Sequence, residues 1–198
     1  VTEMITGLDL VKLQILVAEG KKLPITQEYL TIKGHAIELR IYAEDPGNNF
    51  FPTTGKIIKL GECHRPGVRL DTGITAEDEV TINFDPMVAK LVIHAENREQ
   101  AILKSLQALD DYVFLGLTTN RSFLKNVLLN KSFQQGKYST KFIEENEKAL
   151  ILDSNDAEIA VAIAAKHFGA FSSFQPDYES EKNNCLDGDF LDFRNTNL

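Results

Sequence analysis

Residues 34–55 read GHAIELRIYAEDPGNNFFPTTG, and this stretch decides the fold class of the chain. As far as Tyr42 its residues alternate between apolar and polar, which is the period of a β-strand with one buried face. The apolar set is Ile37, Leu39 and Ile41, and the polar set is Glu38, Arg40 and Tyr42. We therefore predict a strand, followed by a loop because the remaining residues are rich in Pro, Gly and Asn.

Short segments with strand character follow, separated by turn signals and without helices between them. They are residues 56–62, 68–74, 79–84 and 88–95. Helical patterns lie on both sides, at 6–20, 96–116, 118–130, 139–146 and 155–169. The order predicts an α+β fold, an antiparallel sheet or small barrel-like unit with packed helices. The helix at 6–20 is apolar on more than one face, so we expect it to be well buried. Capping-box patterns, Thr6 with Asp9 and Asn97 with Gln100, predict the N-terminal caps of the first two helices.

Length and charge narrow the class of protein. The chain has 198 residues, 43% of them hydrophobic and 25% charged, which is typical of one globular domain with extra segments. Its net charge of −8 argues against binding to nucleic acid or to an anionic membrane surface, which requires a positive surface. The sequence is already patterned at Val1, and we expect the chain to be a piece of a longer polypeptide.

Several kinds of site are disfavoured by the motifs. The cysteines, Cys63 and Cys185, lie far apart and outside any CxxC pattern, which favours a reducing compartment and no zinc site. The histidines show no HExxH spacing, and the glycines form no phosphate-binding loop.

Arg40 is the candidate functional residue of the first strand. Residues two apart on a strand share a face, so Glu38 and Tyr42 flank Arg40. A guanidinium held in this way offers a fork of donors that suits a carboxylate, a phosphate or a ureido oxygen. The pattern alone favours the alternative, a solvated strand face on which Arg40 pairs with Glu38.

Asp85 is a second candidate, since Asp85-Pro86 interrupts two predicted strands. Its carboxylate either pairs with a cation at an interface or site edge, or forms a hairpin turn. Turn chemistry favours the second interpretation.

Several blocks of the sequence, in collinear order over about residues 1–148, resemble the C-terminal third of biotin carboxylases, the ATP-grasp component of biotin-dependent carboxylases. The blocks are VTEMITGLDLVKLQI, GHAIELRIYAEDP, TTGKI, RLDTGI, DPMVAKLV, GLTTNRSFL and TKFIEE. AEDPGNNFFP and the tail are most similar to biotin-containing subunits of acyl-CoA carboxylases, of the methylcrotonyl-CoA and propionyl-CoA types.

The resemblance implies a domain organisation and an activity. Residues 1–32 would end an ATP-grasp domain, 33–148 would form the biotin carboxylase C-terminal domain, and 149–198 would be a helix and an acidic linker toward a following domain. The parent enzyme would use MgATP to activate bicarbonate as carboxyphosphate, and the resulting CO2 would pass to N1 of a biotin on a carrier domain. The base glutamate, the bicarbonate-binding arginine, the phosphate loop and the metal-binding glutamates of the family lie upstream of the segment that this chain matches. We therefore expect the chain alone to be inactive and to hold no bound cofactor.

The resemblance also assigns residues. Arg40 would lie near the biotin ureido oxygen and the bicarbonate region, where a fixed cation stabilises the enolate-like oxygen that forms as biotin loses its N1 proton. Glu38 and Tyr42 would support it. Residues matching the family's interface region are Asp85 and Arg69, and Thr140 falls where the final helix of the family passes near the adenine.

The implied partners are the rest of the biotin carboxylase with its ATP-grasp domain, the biotin carrier domain, the carboxyltransferase subunit and a second copy in a homodimer. The implied compartment is bacterial cytoplasm or mitochondrial matrix. One alternative is a mainly structural module for dimerisation or domain docking, with Arg40 paired only to Glu38. Another is a different ATP-grasp relative, such as a carbamoyl-phosphate synthase, which GHAIELRIYAEDP and GLTTN disfavour.

Overall fold

The secondary structure is known from a computed structural model that describes residues 1–61 and 63–151. The helices are α1 (Thr2–Thr6), α2 (Leu10–Ala18), α3 (Arg98–Asp111), α4 (Arg121–Leu129), α5 (Lys131–Gln134) and α6 (Phe142–Leu150). The strands are β1 (His35–Tyr42), β2 (Glu44–Asp45), β3 (Phe51–Pro52), β4 (Gly55–Lys56), β5 (Lys59–Gly61), β6 (Val68–Thr72), β7 (Glu79–Val80), β8 (Met87–Ala95) and β9 (Val113–Leu115). Two short 3-10 turns span Gln27–Tyr29 and Pro46–Asn48. The predicted helix at 155–169 and the acidic linker lie outside the described residues.

The central element is an antiparallel three-stranded sheet in the order β1-β8-β6. Two-stranded antiparallel sheets join β2 to β3, β4 to β7, and β5 to β9. The predicted α+β class with antiparallel strands is therefore confirmed. The barrel-like alternative is not what forms, because the strands of the described residues make separate open sheets. No helix in residues 1–61 or 63–151 combines the length and the apolar character needed to span a membrane.

The apolar face of the central sheet is the main core. Ile37, Leu39 and Ile41 of β1 are 8%, 5% and 0% exposed, and Leu91 and Ile93 of β8 lie opposite Leu39 and Ile37 at 0%. Helix α3 covers this face, and its buried residues are Ala101, Ile102, Ser105, Ala108 and Leu109. Each large aliphatic side chain buried in this way contributes about 1.5–3 kcal/mol. The alternation read from the sequence correctly identified the buried face of β1.

A smaller aromatic cluster lies on the helical side, around Phe123 of α4 and Phe142 and Leu150 of α6. Phe50, in the loop after β2, packs edge-to-face on Phe123 with ring centroids 5.0 Å apart. The cluster thereby joins α4 and α6 to the loop that follows the first strand.

The helix predicted at 6–20 is broken. Gly7 adopts a left-handed conformation with φ of 72° after α1, and Asp9, not Thr6, caps α2 by accepting a hydrogen bond from the Lys12 amide. The expected burial is also wrong for the described contacts, since Val11 and Ile15 are 61% and 55% exposed. Apolar residues on several faces indicate that a helix can be buried. They do not indicate which element packs against it.

The helix predicted at 96–116 ends early. Asn97 caps α3 as predicted, accepting a hydrogen bond from the Gln100 amide, but the helix stops at Asp111. Val113 begins β9, because pairing with β5 takes precedence over the helical period. Gly116 follows with φ of 122°, and a Cβ there would lie 2.3 Å from the Lys56 carbonyl oxygen, so this position requires glycine.

Arg98, in the first turn of α3, joins β1 to α5. Its guanidinium donates to the carbonyl oxygens of Phe133 and Gln134, at 2.5 and 3.3 Å, and lies 4.8 Å from the Phe133 ring centroid. It also lies 3.2 Å from Nε2 of His35, and since a guanidinium only donates, this ring nitrogen must accept. Burial lowers the pKa of His35, and the charge of Arg98 lowers it further.

The His35–Arg98 contact predicts a pH-dependent stability. A histidine pKa below its ordinary value of about 6.5 means that the unfolded chain binds more protons. This contribution to stability is therefore present above pH 6.5 and is lost as the pH falls through the lowered folded-state pKa. Urea unfolding of the chain at a series of pH values measures the effect. The urea concentration at the midpoint should decrease as the pH is lowered below 6.5.

The control for this pH series is His35→Gln, which keeps an acceptor for Arg98 and cannot be protonated. Its acid-side loss of stability should be smaller than that of the unmodified chain. Equal losses for the two proteins would contradict the assignment to His35.

Candidate functional site

The face of the central sheet opposite the core carries most of the residues singled out from the sequence. We call it the polar face, and its members are Glu38 and Arg40 on β1, Lys90 and Val92 on β8, and Arg69 and Asp71 on β6. The strand register sets Arg40, Lys90 and Asp71 in one row and Glu38, Val92 and Arg69 in the next. The structure thus brings Arg40 and Arg69 to a single face, although they lie on strands at opposite edges of the sheet.

Arg40 forms an ion pair and still presents its guanidinium to solvent. Its Nε donates to Oε1 of Glu38 at 2.8 Å, and the Arg40 side chain is 61% exposed against 26% for Glu38. The hydrogen bond that Arg40 donates to Glu38 raises the pKa of Arg40, with a smaller contribution in the same direction from Tyr42. The pair predicted by strand spacing therefore exists, and it leaves an exposed, permanently charged fork of donors.

Arg69 is engaged on two sides. Its Nε donates to Asp71 of the same strand and its Nη1 to Glu3 of α1, both at 2.8 Å. The other Glu3 oxygen accepts from the Leu10 amide at 3.0 Å. These bonds raise the pKa of Arg69, with Asp71 as the main cause, and Arg69 in turn lowers the pKa of Glu3. Within the described residues, Arg69 fastens the N-terminal segment to the sheet.

Lys90 is a residue of this site that sequence reasoning missed. It lies directly opposite Arg40, and among the ion pairs of the described residues it has no carboxylate partner. Lys90 thus faces the like charge of Arg40 on one side, which is unfavourable, and the Asp71 carboxylate on the other. An open depression of 260 Å³ adjoins it and is lined by Asp71, Thr72, Gly73, Met87, Val88, Ala89 and Lys90. The position of Lys90 opposite Arg40 follows from the β1–β8 strand register and is not visible in the sequence.

Asn120 is the second residue that was missed, and it supports the strand that carries Arg40. It precedes α4 and is only 5% exposed. Its Nδ2 donates to the Arg40 carbonyl oxygen and its Oδ1 accepts from the Tyr42 amide, both at 3.1 Å. Burial raises the pKa of the nearby Glu44 carboxyl, and a hydrogen bond with Asn120 opposes that shift. In the sequence, Asn120 looked like an ordinary residue at the start of a helix.

Two predicted residues lie away from the polar face. Asp85 is exposed, and its Oδ1 accepts a hydrogen bond from the Met87 amide at 2.9 Å, so it caps the turn that leads into β8. The flanking Ile82 and Phe84 are 81% and 82% exposed. Thr140 is exposed in the turn before α6, a helix that packs on α4. The turn geometry at Asp85 is the alternative that turn chemistry favoured, and the roles assigned to both residues stay predictions.

The donors of the polar face fit some ligand chemistries and not others. Arg40 and Lys90 present N–H groups of the kind that bind a ureido oxygen, a carboxylate or a phosphate. Among residues 1–61 and 63–151, no three His, Cys, Asp or Glu side chains are grouped to hold a metal ion. The polar face therefore offers hydrogen-bond donors to a ligand that carries oxygen atoms.

Arg69→Ala should loosen the N-terminal segment without unfolding the core. The variant loses both ion pairs, and because exposed pairs are screened by water, the free energy of unfolding should fall by no more than about 1 kcal/mol. Amide hydrogen exchange over residues 2–10 should become clearly faster. Lys21→Ala is the control, since it breaks an exposed pair with Glu19 that does not reach the sheet. Unchanged exchange in Arg69→Ala would contradict the fastening role.

Comparison with known proteins agrees with the fold and the sequence blocks. Residues 38–145 match the biotin carboxylase C-terminal domain. The chain is 43% identical over 152 residues to the alpha subunit of mitochondrial methylcrotonoyl-CoA carboxylase from Rattus norvegicus, covering 76% of this chain and 21% of that protein. It is 40% identical over 177 residues to the mitochondrial propionyl-CoA carboxylase alpha chain from Homo sapiens, covering 86% and 24%. The chain thus spans between a fifth and a quarter of the length of these relatives.

Solved structures give the same result. The biotin carboxylase domain dimer of 2-oxoglutarate carboxylase from Hydrogenobacter thermophilus, in complex with MgADP, ADP and bicarbonate, aligns with a TM-score of 0.74 and 36% identity, over 78% of this chain and 34% of that one. The biotin carboxylase subunit of pyruvate carboxylase aligns with a TM-score of 0.73 and 38% identity, over 77% and 34%. The resemblance drawn from the sequence is confirmed. A family match over more than half of the residues, on the same fold, shows that this chain belongs to the biotin carboxylase C-terminal domain family.

Proposed function

We propose that this chain is the C-terminal part of the biotin carboxylase component of an acyl-CoA carboxylase. The parent enzyme would carboxylate biotin on a carrier domain with MgATP and bicarbonate. Two kinds of finding support this: the relatives are methylcrotonoyl-CoA and propionyl-CoA carboxylase alpha subunits, and a related structure contains MgADP and bicarbonate. The relatives are named mitochondrial, which favours the matrix over bacterial cytoplasm.

The position and exposure of Arg40 are the main support for the proposal. Its backbone is fixed in the central sheet, while its guanidinium is exposed, charged and next to Lys90. Bound biotin would supply the N1 nucleophile that accepts the carboxyl group. Arg40 would donate hydrogen bonds to the ureido oxygen and stabilise the negative charge that develops there. Glu38 would hold the guanidinium through Nε, and Tyr42 would flank it on the same strand.

The remaining requirements of the reaction fall on other parts of the parent enzyme. The family match of this chain is to the C-terminal domain, so MgATP would be held mainly by the ATP-grasp domain, with Thr140 approaching the adenine. We therefore propose that this chain does not turn over alone. Asp85 and Arg69 would contribute to contacts with a second copy or a neighbouring domain, and the carrier domain and carboxyltransferase subunit would be the other partners.

A mainly structural role in dimerisation or domain docking is the second candidate. One observation favours it: the Nε of Arg40 is already paired with Glu38, as on an ordinary solvated strand face. The exposed apolar residues of α2 also suit a surface that another domain covers.

Arg40→Ala distinguishes the two candidates in the full-length subunit. Because the lost cation stabilises charge only in the transition state, biotin carboxylation should fall by about 100- to 1,000-fold. The melting temperature should hardly change, since the side chain is mostly exposed. Turnover is measured as ATP- and bicarbonate-dependent carboxylation of biotin, and melting by calorimetry.

The matched control is Arg65→Ala, which removes an exposed arginine that pairs with Asp111 away from the polar face. It should keep full turnover. If Arg40→Ala keeps its turnover and loses stability instead, the catalytic role is wrong and the structural candidate is supported.

Asp85→Lys tests the proposed interface. A reversed charge at a subunit contact should weaken the oligomer of the full-length enzyme, as measured by sedimentation velocity across a range of concentrations. Asp85→Asn is the control, because its side-chain oxygen still accepts the Met87 amide and so preserves the turn. An oligomer that is equally stable in both variants and in the unmodified enzyme would count against a contact at Asp85.

A further inference from the structure

The side chain of Asn120 acts as a substitute peptide group along the free edge of β1. Strand β1 lies at the edge of the three-stranded sheet, so its outer N–H and C=O groups have no neighbouring strand. Asn120 supplies the missing partners: Nδ2 donates to the Arg40 carbonyl, Oδ1 accepts from the Tyr42 amide, and its own amide donates to the Tyr42 carbonyl, each at 3.1 Å. Its near-complete burial, 5% exposed, makes these bonds costly to lose.

The inner edge of β1 is irregular at the same point. Ile41 pairs with Ala89 and Tyr42 with Met87, so the register shifts between Ile41 and Tyr42 and Val88 has no partner on β1. A bulge of this kind disrupts the ladder locally and bends the strand. The bonds from Asn120 therefore fall where pairing with β8 is weakest, one residue beyond Arg40.

The direction of the Arg40 side chain depends on this stretch of backbone. The side chain is 61% exposed, and among the described residues its bonding partners, Glu38 at Nε and Tyr42, lie on its own strand. Since packing does not fix its rotamer, the position of the guanidinium follows the orientation of the peptide groups at Arg40 and Tyr42. A small rotation of the strand displaces the far end of this long side chain most.

We infer that Asn120 is a positioning residue for Arg40, one that orients the guanidinium toward the reacting biotin by clamping the main chain on either side of Ile41. The inference rests on the proposed function, because it assigns Asn120 a part in the same reaction. Asn120 touches neither substrate nor reacting atoms and acts only through the strand.

The test uses the full-length subunit with Asn120→Ala. Misplacement of a reacting group by about 1 Å costs on the order of 100-fold, so kcat for biotin carboxylation should fall by about 10- to 100-fold. The KM for ATP should not change, because the bonds at β1 do not involve the nucleotide. A general loss of folding would instead lower the amount of active enzyme and leave kcat per folded molecule unchanged.

Asn126→Ala is the matched control. Asn126 lies on α4, the helix that Asn120 precedes, and its Nδ2 donates to the Leu150 carbonyl at 2.9 Å, a bond that joins α4 to α6 and does not reach β1. This variant should melt at a lower temperature, as Asn120→Ala does, but its kcat should not change. If both variants lower kcat equally, the effect of Asn120 is general destabilisation and the inference is overturned.

The double variant Arg40→Ala/Asn120→Ala tests whether Asn120 acts through Arg40. If it does, the double variant should have the same kcat as Arg40→Ala alone, because the side chain to be oriented is gone. If the two losses in kcat instead multiply in the double variant, the inference is overturned. If Arg40→Ala itself keeps full turnover, the proposed function of Arg40 fails and the inference fails with it, whereas an impaired Arg40→Ala beside a normal Asn120→Ala overturns the inference alone.

Asn120→Asp keeps the test decisive if Asn120→Ala does not fold. One carboxylate oxygen still accepts from the Tyr42 amide, while the donor to the Arg40 carbonyl and to Glu44 is replaced by a charged acceptor. We expect a folded protein whose kcat is lowered and whose KM for ATP is unchanged. A folded Asn120→Asp enzyme with normal kcat would overturn the positioning role.

Discussion

The antiparallel pairing of β1 with β8 is the interaction on which the rest of the described structure depends. Because side chains on a strand alternate, one register sends Ile37, Leu39 and Ile41 into the core under α3. The same register sets Arg40 opposite Lys90 on the other face. A slip of one residue would exchange the two faces, burying charge and exposing the core. Stability and the candidate site are therefore fixed by the same pairing.

The polar face brings three cationic side chains together, and two of them are paired with carboxylates. Its carboxylates are already committed, Glu38 to Arg40 and Glu3 and Asp71 to Arg69. Lys90, between the two arginine-bearing strands, is left without an ion-pair partner among the described residues. An acidic chain with a net charge of −8 thus places Arg40 and Lys90 side by side, next to Asp71 on the third strand. In the proposed function, this pair of cations would suit a substrate that develops negative charge on oxygen.

The two edges of β1 are held in different ways. Pairing with β8 gives it a regular ladder up to Ile41, and Asn120 takes over where the ladder shifts. A buried amide with all of its bonds made is rigid and is expensive to leave half-satisfied. This links a residue at the start of α4 to the backbone of an arginine 80 positions earlier in the chain. Family membership accounts for the fold that brings Asn120 and Arg40 together. The hydrogen bonds of Asn120 to β1 are the basis of the role inferred for it.

The sequence by itself determined the local properties: the alternation of β1, the cap at Asn97, the Glu38–Arg40 pair and, through its collinear blocks, the family. These depend on residues that are neighbours in the chain, where period and spacing record the physics directly. Only the tertiary structure decided that α3 yields to β9 after Asp111, that α2 leaves its apolar residues exposed, and that Lys90 and Asn120 meet Arg40 from opposite edges of β1. Those outcomes are set by strand register and by which element covers which face, and both arise from contacts between residues far apart in sequence.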